Sequence, residues 1–270
     1  MKLSIVVNGT PRATSLAADM PLGDAMALAA SVGFDGVELA IANPLDVDLA
    51  GLKKMLATCG LDVPALGTGA AYAEGLSLSH RDASRREGAV ARLKAHVDLA
   101  ASLGAAVIVG LICGRTADGL ARENALACIG AYLQDVARYA APRGVRLLLE
   151  PLNRYETDLL NTVADARAMA EAAGDNVGLL VDTFHMNIEE PSIVGSIRDA
   201  ASRVWHVHVA DSNRWAPGCG HLDFRAIVEA LHDVGYRGHL SGEIMHRPDV
   251  RTAFTGTYSH LAPMVKASES

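Results

Sequence analysis

The chain has few aromatic residues, few cysteines and no run of basic residues. Aromatic residues make up 4% of its 270 residues, and its four cysteines form no C-x-x-C pair. Cysteines spaced this widely do not indicate a disulfide framework, so we expect reduced thiols and a cytoplasmic location. A net charge of −7 without a basic stretch argues against nucleic acid as a partner.

Long apolar runs and a dinucleotide-binding motif are also missing. Charged residues interrupt every apolar run before about 18 residues, so we expect no membrane segment. The opening MKLSIVV is too short for the core of a signal peptide. No G-x-G-x-x-G follows the first β-rich run, which argues against a dinucleotide site. Half of the residues are hydrophobic and 20% are charged, a composition typical of a globular chain with a large core.

Short β-rich apolar runs alternate with longer stretches of helical periodicity. The eight runs are Leu3–Val7, Gly36–Ala40, Val63–Gly67, Ala106–Leu111, Arg146–Glu150, Val177–Asp182, Val204–Ala210 and His239–Ile244. The helical stretches are 23–32, 46–59, 81–103, 119–141, 162–173, 223–234, 249–266 and a less regular one at 192–200. Eight such units favour a closed parallel (β/α)8 TIM barrel over an open doubly wound sheet. We expect residues 1–270 to form this barrel as a single domain.

Polar residues end four consecutive predicted strands. Glu150 ends RLLLE, Asp182 ends VGLLVD, His208 lies in VWHVHVAD and Glu243 lies in HLSGEI. In a barrel of this kind the chemistry lies at the carboxyl ends of the strands, and neighbouring strands are about 4.8 Å apart. The four side chains can therefore converge on one point, as the ligands of a metal ion do.

Three carboxylates and one imidazole form a hard, oxygen-rich set of ligands. Such a set suits a divalent ion such as Mn²⁺, with Co²⁺ or Mg²⁺ as alternatives, better than a structural zinc ion. A single acidic residue at the end of a strand is as often a helix cap or half of an ion pair as it is a metal ligand. Three unpaired carboxylates buried together are costly without a cation, so we favour a metal site.

Four segments resemble a known enzyme family. EPLNRYET (150–157), VDTFHMNIEE (181–190), HVADSNRWAPGCGHLDF (208–224) and the strand around Glu243 are similar to the ketose 3-epimerases related to D-tagatose and D-psicose 3-epimerase. These enzymes belong to the xylose isomerase-like TIM barrel superfamily, and the resemblance extends over nearly the whole chain. It implies a metal-dependent isomerase that epimerises keto-sugars through an enediolate.

The resemblance also implies roles for individual residues. Glu150, Asp182, His208 and Glu243 would be the metal ligands, and Glu150 and Glu243 would also be the catalytic acid/base pair. Glu156, His185 and Arg214 fall on positions that contact substrate oxygens in the family. Without the family resemblance, Glu156 and Arg214 would be interpreted as members of ion pairs in loops, and His185 as a structural histidine. Each lies just beyond the end of a ligand strand, however.

Two loop sequences suggest a particular branch of the family. GTGAAY (67–72) and GLICGR (110–115) resemble 5-keto-L-gluconate epimerases, which act on hexuronates. Arg115 would then bind a substrate carboxylate with two hydrogen bonds, unless it only caps its loop. The substrate would be a small keto-sugar or a sugar acid (keto-uronate). With so few aromatic residues, we expect a more polar pocket than in the better-known ketose epimerases.

Other functions and residue roles remain open at this point. An aldose–ketose isomerase would use the same metal and acid/base groups. A non-catalytic sugar-binding module would not need two acids that face each other. An apurinic endonuclease would need more metal ligands and a positively charged surface for DNA. We expect a homo-oligomer, either a dimer or a tetramer. Asp223 is predicted to cap a helix, and His206 to point away from His208 and to be structural.

Overall fold

Eight parallel strands close into a barrel in the order in which they occur along the chain. The computed structural model describes residues 1–11 and 13–267. The strands are β1 Lys2–Asn8, β2 Gly36–Ala40, β3 Ala65–Gly67, β4 Ala106–Val109, β5 Leu147–Leu149, β6 Val177–Asp182, β7 Val204–Val209 and β8 His239–Gly242. The predicted barrel is confirmed, and every strand lies within two residues of its predicted ends.

Helices surround the barrel. They are α1 Leu22–Val32, α2 Leu49–Cys59, α3 Ala70–Ala73, α4 Ala83–Leu103, α5 Arg122–Ala140, α6 Val163–Ala173, α7 Thr183–Glu189, α8 Ile193–Ala200, α9 Phe224–Asp233 and α10 Val250–Ala267. The short helices α3 and α7 were not predicted. Asp223 caps α9 by accepting a hydrogen bond from the amide of Ala226, as predicted. Within the described ranges, no helix is both long and apolar enough to cross a membrane.

Alternate strand residues face the helices and the barrel axis. On β2, Val37 and Leu39 belong to the large core between strands and helices, whereas Glu38 points inward. The inward layer is apolar on β3 to β6, where it contains Ala65, Ile108, Leu148 and Leu180. On the opposite side it contains the buried polar residues Ser4, Glu38, His206, His208 and Ser241. Val6 and Ala40, nearer the carboxyl ends of β1 and β2, are the apolar members of that side. The interior of the barrel therefore has an apolar wall on β3 to β6 and a mostly polar wall opposite it.

Candidate metal centre and active site

The four predicted metal ligands lie at the carboxyl end of the barrel. Glu150 follows β5, Asp182 is the last residue of β6, His208 lies near the end of β7 and Glu243 follows β8. Asp182 and His208 are register partners on adjacent strands. The strand register therefore sets the four side chains at nearly the same height.

Three carboxylate oxygens lie within 4 Å of one imidazole nitrogen. Nδ1 of His208 lies 3.5 Å from Oε1 of Glu150, 3.8 Å from Oδ2 of Asp182 and 3.8 Å from Oε2 of Glu243. Ligand atoms about 2.1 Å from one small divalent ion lie roughly 3 to 4 Å from one another. Two sets of three residues could each hold a cation, because their ligand atoms lie within 4.8 Å of one another: Asp182, His208 and Glu243 form one set, and Glu150, Asp182 and His185 form the other.

Burial and charge in this cluster also fit a cation. Oδ2 of Asp182 and Nδ1 of His208 are buried, and neither atom has a hydrogen-bond partner. Burial raises the pKa of the Glu150 carboxyl, and the neighbouring Glu243 carboxylate raises it further, while His208 opposes both. Burial lowers the pKa of His208, but the carboxylates of Glu38, Glu150 and Glu243 outweigh burial and raise it well above its usual value. The cluster thus concentrates three carboxylates around one imidazole, and a divalent ion bound there would offset their charge.

Glu38, which the sequence analysis did not identify, supports His208 from the opposite side of the barrel. Its two carboxylate oxygens lie 2.9 and 3.0 Å from Nε2 of His208, and Oε2 also lies 2.7 Å from Nε2 of His206. Burial raises the pKa of Glu38, but the two imidazoles outweigh it and hold the pKa well below its usual range. A carboxylate at Nε2 fixes that nitrogen as the donor and leaves Nδ1 free to act as a ligand.

The predicted orientation of His206 was wrong. Residues two positions apart on a strand project from the same face, so His206 and His208 both point into the barrel. Their rings meet edge to face, with centroids 5.5 Å apart, and both contact Glu38. A lone acid in a buried strand, here in GVELA, is the sequence signal that could have led to Glu38.

Arg214 connects two of the predicted carboxylates. Nη2 of Arg214 donates to Oε2 of Glu243 at 2.9 Å, and Nη1 donates to Oε1 of Glu156 at 2.7 Å. The guanidinium also lies 4.8 Å from the ring centre of Phe184. The backbone φ of Arg214 is +61°, a conformation that side-chain-bearing residues adopt rarely and that is often retained at functional sites. The structure thus brings Arg214 and Glu156 to the cluster of predicted metal ligands.

Asn153 fixes the orientation of His185. The backbone N–H of Asn153 lies 3.3 Å from Nδ1 of His185, and its side-chain amide nitrogen lies 2.7 Å from the same atom. Because a backbone N–H can only donate, Nδ1 is an acceptor and Nε2 carries the proton. Nε2 is buried without a hydrogen-bond partner, 3.7 Å from Oδ2 of Asp182. The side chain of Asn153 also donates to Glu156, so one residue positions two others.

Seven of the polar residues described above line a cavity of about 600 Å³. The end of the cavity at the cluster contains Glu38, Glu150, Glu156, His185, His208, Arg214 and Glu243. Its other walls include Ala13, Thr14, Ser15, Gly67, Gly69, Ala70 and Ala73. Phe184 is the one aromatic ring other than the histidines among the lining residues that the structure describes. The walls away from the cluster combine these small residues with apolar side chains such as Val6, Leu16 and Ile108.

Arg115 does not line this cavity. Its guanidinium lies 5.2 Å from the ring centre of Tyr72, and its backbone amide donates to Asp118. Arg115 thus packs within the loop that follows β4, so the structure does not bring it to the other predicted site residues. Its role in binding a carboxylate stays a prediction.

Comparison with known proteins places the chain in a family. The sequence profile described as xylose isomerase-like TIM barrel matches residues 26–261. The chain belongs to this family. The chain is also similar to sugar epimerases, as its motifs predicted.

Two curated relatives and one solved structure illustrate this similarity. The chain is 39% identical over 215 residues to an L-ribulose 3-epimerase of Mesorhizobium japonicum, which covers 78% of this chain and 71% of the relative. It is 40% identical over 109 residues to a 3-dehydro-D-guloside 4-epimerase of Escherichia coli, and the match covers 40% of this chain and 42% of the relative. A solved L-ribulose 3-epimerase matches with a TM-score of 0.84 at 29% identity, over 98% of this chain and 95% of the other.

Proposed function

We propose that this protein is a metal-dependent epimerase that inverts a carbon next to the ketone of a small sugar. The observation that carries the proposal is the position of Glu150 and Glu243, whose carboxylates both lie within 4 Å of the same atom of His208. The names of the relatives support it, since a 3-epimerase of a 2-ketose and a 4-epimerase of a 3-keto-sugar both invert a carbon beside a carbonyl.

Inversion next to a ketone needs two groups that exchange protons with opposite faces of one carbon. One glutamate removes the proton, and the other returns a proton to the opposite face. We assign these roles to Glu150 and Glu243, which exchange them when the reaction runs in reverse. A bound divalent cation, held by Glu150, Asp182, His208 and Glu243, would act as a Lewis acid for the substrate oxygens.

The remaining polar residues orient the substrate. Nε2–H of His185 is fixed as a donor and has no protein partner, so it is free to donate to a substrate oxygen. Arg214 is held between Glu156 and Glu243. We assign its guanidinium to the substrate oxygen on which negative charge grows. Glu156 is placed to accept a hydrogen bond from a substrate hydroxyl.

Deuterium exchange tests this proposal. The Mn²⁺-loaded protein is incubated in D₂O with ketoses and keto-uronates, and the labelled carbon is located by NMR. We expect label and inversion at the same carbon, next to the ketone. Transfer of the label to the neighbouring carbon, with an aldose as product, would identify an aldose–ketose isomerase instead.

Two conservative variants assign the acid/base pair. Glu150→Gln and Glu243→Gln should each lower the exchange rate by about 10²- to 10⁴-fold, the usual contribution of a general acid or base. Glu229→Gln, at an exposed position of α9, is the matched control and should leave the rate unchanged. Full exchange activity in either active-site variant would refute its assignment.

Three further properties belong to the same proposal. We propose Mn²⁺ as the preferred ion, because the donor set is three carboxylates and one imidazole. We propose a cytoplasmic enzyme, consistent with the free thiols of all four cysteines. We propose a homo-oligomer, which sedimentation velocity can test directly.

A further inference from the structure

A second recess adjoins the reaction cavity. It has a volume of about 470 Å³ and is lined by Trp215, Met245, Arg247 and Pro248. Met245 also lines the reaction cavity, so the two spaces share a wall. We call the four-residue space the outer recess.

The outer recess exposes two large apolar side chains to solvent. Trp215 is 39% exposed and Met245 is 40% exposed. Among the described residues, the other exposed large hydrophobic side chains are Leu45 and Tyr155, and neither lines the outer recess or the reaction cavity. Large apolar side chains that are exposed together often mark a binding surface.

The backbone holds Trp215 in a fixed position. Its carbonyl oxygen accepts a hydrogen bond from the amide of Asp211 at 2.9 Å, and its amide donates to the side chain of Asn213 at 3.0 Å. The amide of Met245 donates to the carbonyl oxygen of Arg214 at 2.7 Å, which joins the loops after β7 and β8. The indole is therefore exposed on a rigid backbone, so little conformational entropy would be lost when a ligand binds.

The reaction cavity is larger than a single hexose. A hexose has twelve non-hydrogen atoms and, at no more than about 30 Å³ each, occupies at most about 360 Å³. The cavity measures about 600 Å³, and the walls away from the metal cluster carry glycines and alanines. One sugar ring at the metal cluster therefore leaves space that continues along Met245 to the outer recess.

We propose that the outer recess binds a second sugar ring, so that the preferred substrate is a disaccharide or related glycoside whose ketone-bearing ring lies at the metal cluster. This inference rests on the proposed function. The indole of Trp215 packs against the C–H face of the second ring, and the guanidinium of Arg247 donates to its hydroxyls. The ketone-bearing carbon skeleton stays intact, because the only bond broken and re-formed is the C–H bond next to the ketone.

A second copy of this chain is the rival occupant of the outer recess. A stable protein interface buries about 800 Å² on each partner and involves about 20 to 30 residues a side. Four residues around a recess are far fewer than that. The size of the recess therefore favours a small ligand.

The test compares substrates that differ only in the second ring. We measure deuterium exchange next to the ketone for a 3-keto disaccharide, for the methyl 3-keto-glycoside of the same ring and for a free ketohexose. We expect kcat/KM to be at least tenfold higher for the disaccharide than for the methyl glycoside. Trp215→Ala should lower kcat/KM of the disaccharide at least tenfold, mainly through KM, and change that of the methyl glycoside less than threefold. Trp215→Phe should retain most of the preference.

A binding measurement gives a second result that is independent of turnover. Trp215 is one of two tryptophans, so the matching unoxidised disaccharide should change the protein's fluorescence. Trp215→Phe should abolish that change, whereas the control Leu45→Ala, at an exposed residue outside the recess, should preserve it.

The outcomes separate the inference from the proposed function. If the free ketohexose and the methyl glycoside exchange as well as the disaccharide, the inference fails and the proposed function stands. If no ketone-bearing sugar exchanges, the proposed function fails. If Trp215→Ala changes the sedimentation mass and leaves the disaccharide preference intact, the recess is a contact between copies and the inference is overturned.

Discussion

Replacing Glu38 with glutamine tests how the barrel holds His208, one of the four proposed metal ligands. The carboxylate of Glu38 accepts hydrogen bonds from Nε2 of both His206 and His208, at 2.7 to 3.0 Å. A glutamine amide has a single acceptor oxygen, and its NH₂ group would face an imidazole N–H. At least one buried imidazole would therefore lose its partner or rotate.

The expected loss of metal affinity follows from these contacts. A buried donor left unpaired costs about 1 to 3 kcal/mol. Loss of the carboxylate behind a metal-binding histidine typically lowers metal affinity by about 10- to 100-fold, which corresponds to about 1.4 to 2.7 kcal/mol. The two ranges overlap, so we expect the dissociation constant for Mn²⁺ to rise by about 10- to 100-fold in Glu38→Gln.

Calorimetric titration of the metal-free protein with Mn²⁺ measures this change. Far-UV circular dichroism shows whether the variant is folded, and Glu87→Gln, at an exposed position of α4, controls for the loss of one negative charge. An unchanged dissociation constant in a folded Glu38→Gln protein would refute the view that Glu38 orients His208.

The other predictions concern the remaining polar contacts and one loop. Asn153→Ala removes the side-chain hydrogen bonds to His185 and Glu156. The value of kcat/KM should therefore fall by about 5- to 150-fold, which corresponds to about 1 to 3 kcal/mol. The affinity for Mn²⁺, measured by calorimetry, should not change. Asp211 accepts hydrogen bonds from three loop amides. Burial alone would raise the pKa of Asp211, but these hydrogen bonds outweigh burial and hold the pKa below its usual value. The Asp211 carboxylate should therefore stabilise the fold fully above about pH 4, and this stabilisation should decrease as the pH falls further. In urea titrations, the free energy of unfolding of Asp211→Asn should be lower than that of the parent by about 1 to 3 kcal/mol at pH 7, and the difference should be smaller in acid. If Arg115 binds a carboxylate, Arg115→Met should raise KM for a keto-uronate at least tenfold more than KM for a neutral ketose, and equal changes would exclude that role.

Much of the barrel, and the meeting of Glu150, Asp182, His208 and Glu243 at its carboxyl end, was predictable from the sequence because both depend on local patterns. Apolar runs end at Asp182 and next to Glu150, and the glycines and helical stretches between runs mark the alternation of strands and helices. Since parallel strands all end at the same rim, a polar residue at the end of a strand is already placed near its counterparts.

Other features depend on contacts that no local pattern encodes. Glu38 and His206 are 168 positions apart and meet only when the closed barrel sets β2 opposite β7. The position of Arg115 depends on how its loop packs against Tyr72, and that packing was not visible in GLICGR. The outer recess forms where loops after β7 and β8 are joined by one backbone hydrogen bond between Met245 and Arg214.

The contact between Glu38 and His208 has a consequence for assembly of the protein. All four proposed ligands come from β5 to β8, the second half of the chain, whereas Glu38 comes from β2 in the first half. A fragment that begins near Val145 would carry every ligand but would leave the imidazole of His208 free to turn. Metal affinity should therefore depend on closure of the barrel. Tight binding should appear during folding only after β1 and β8, the two edge strands of the open sheet, have paired.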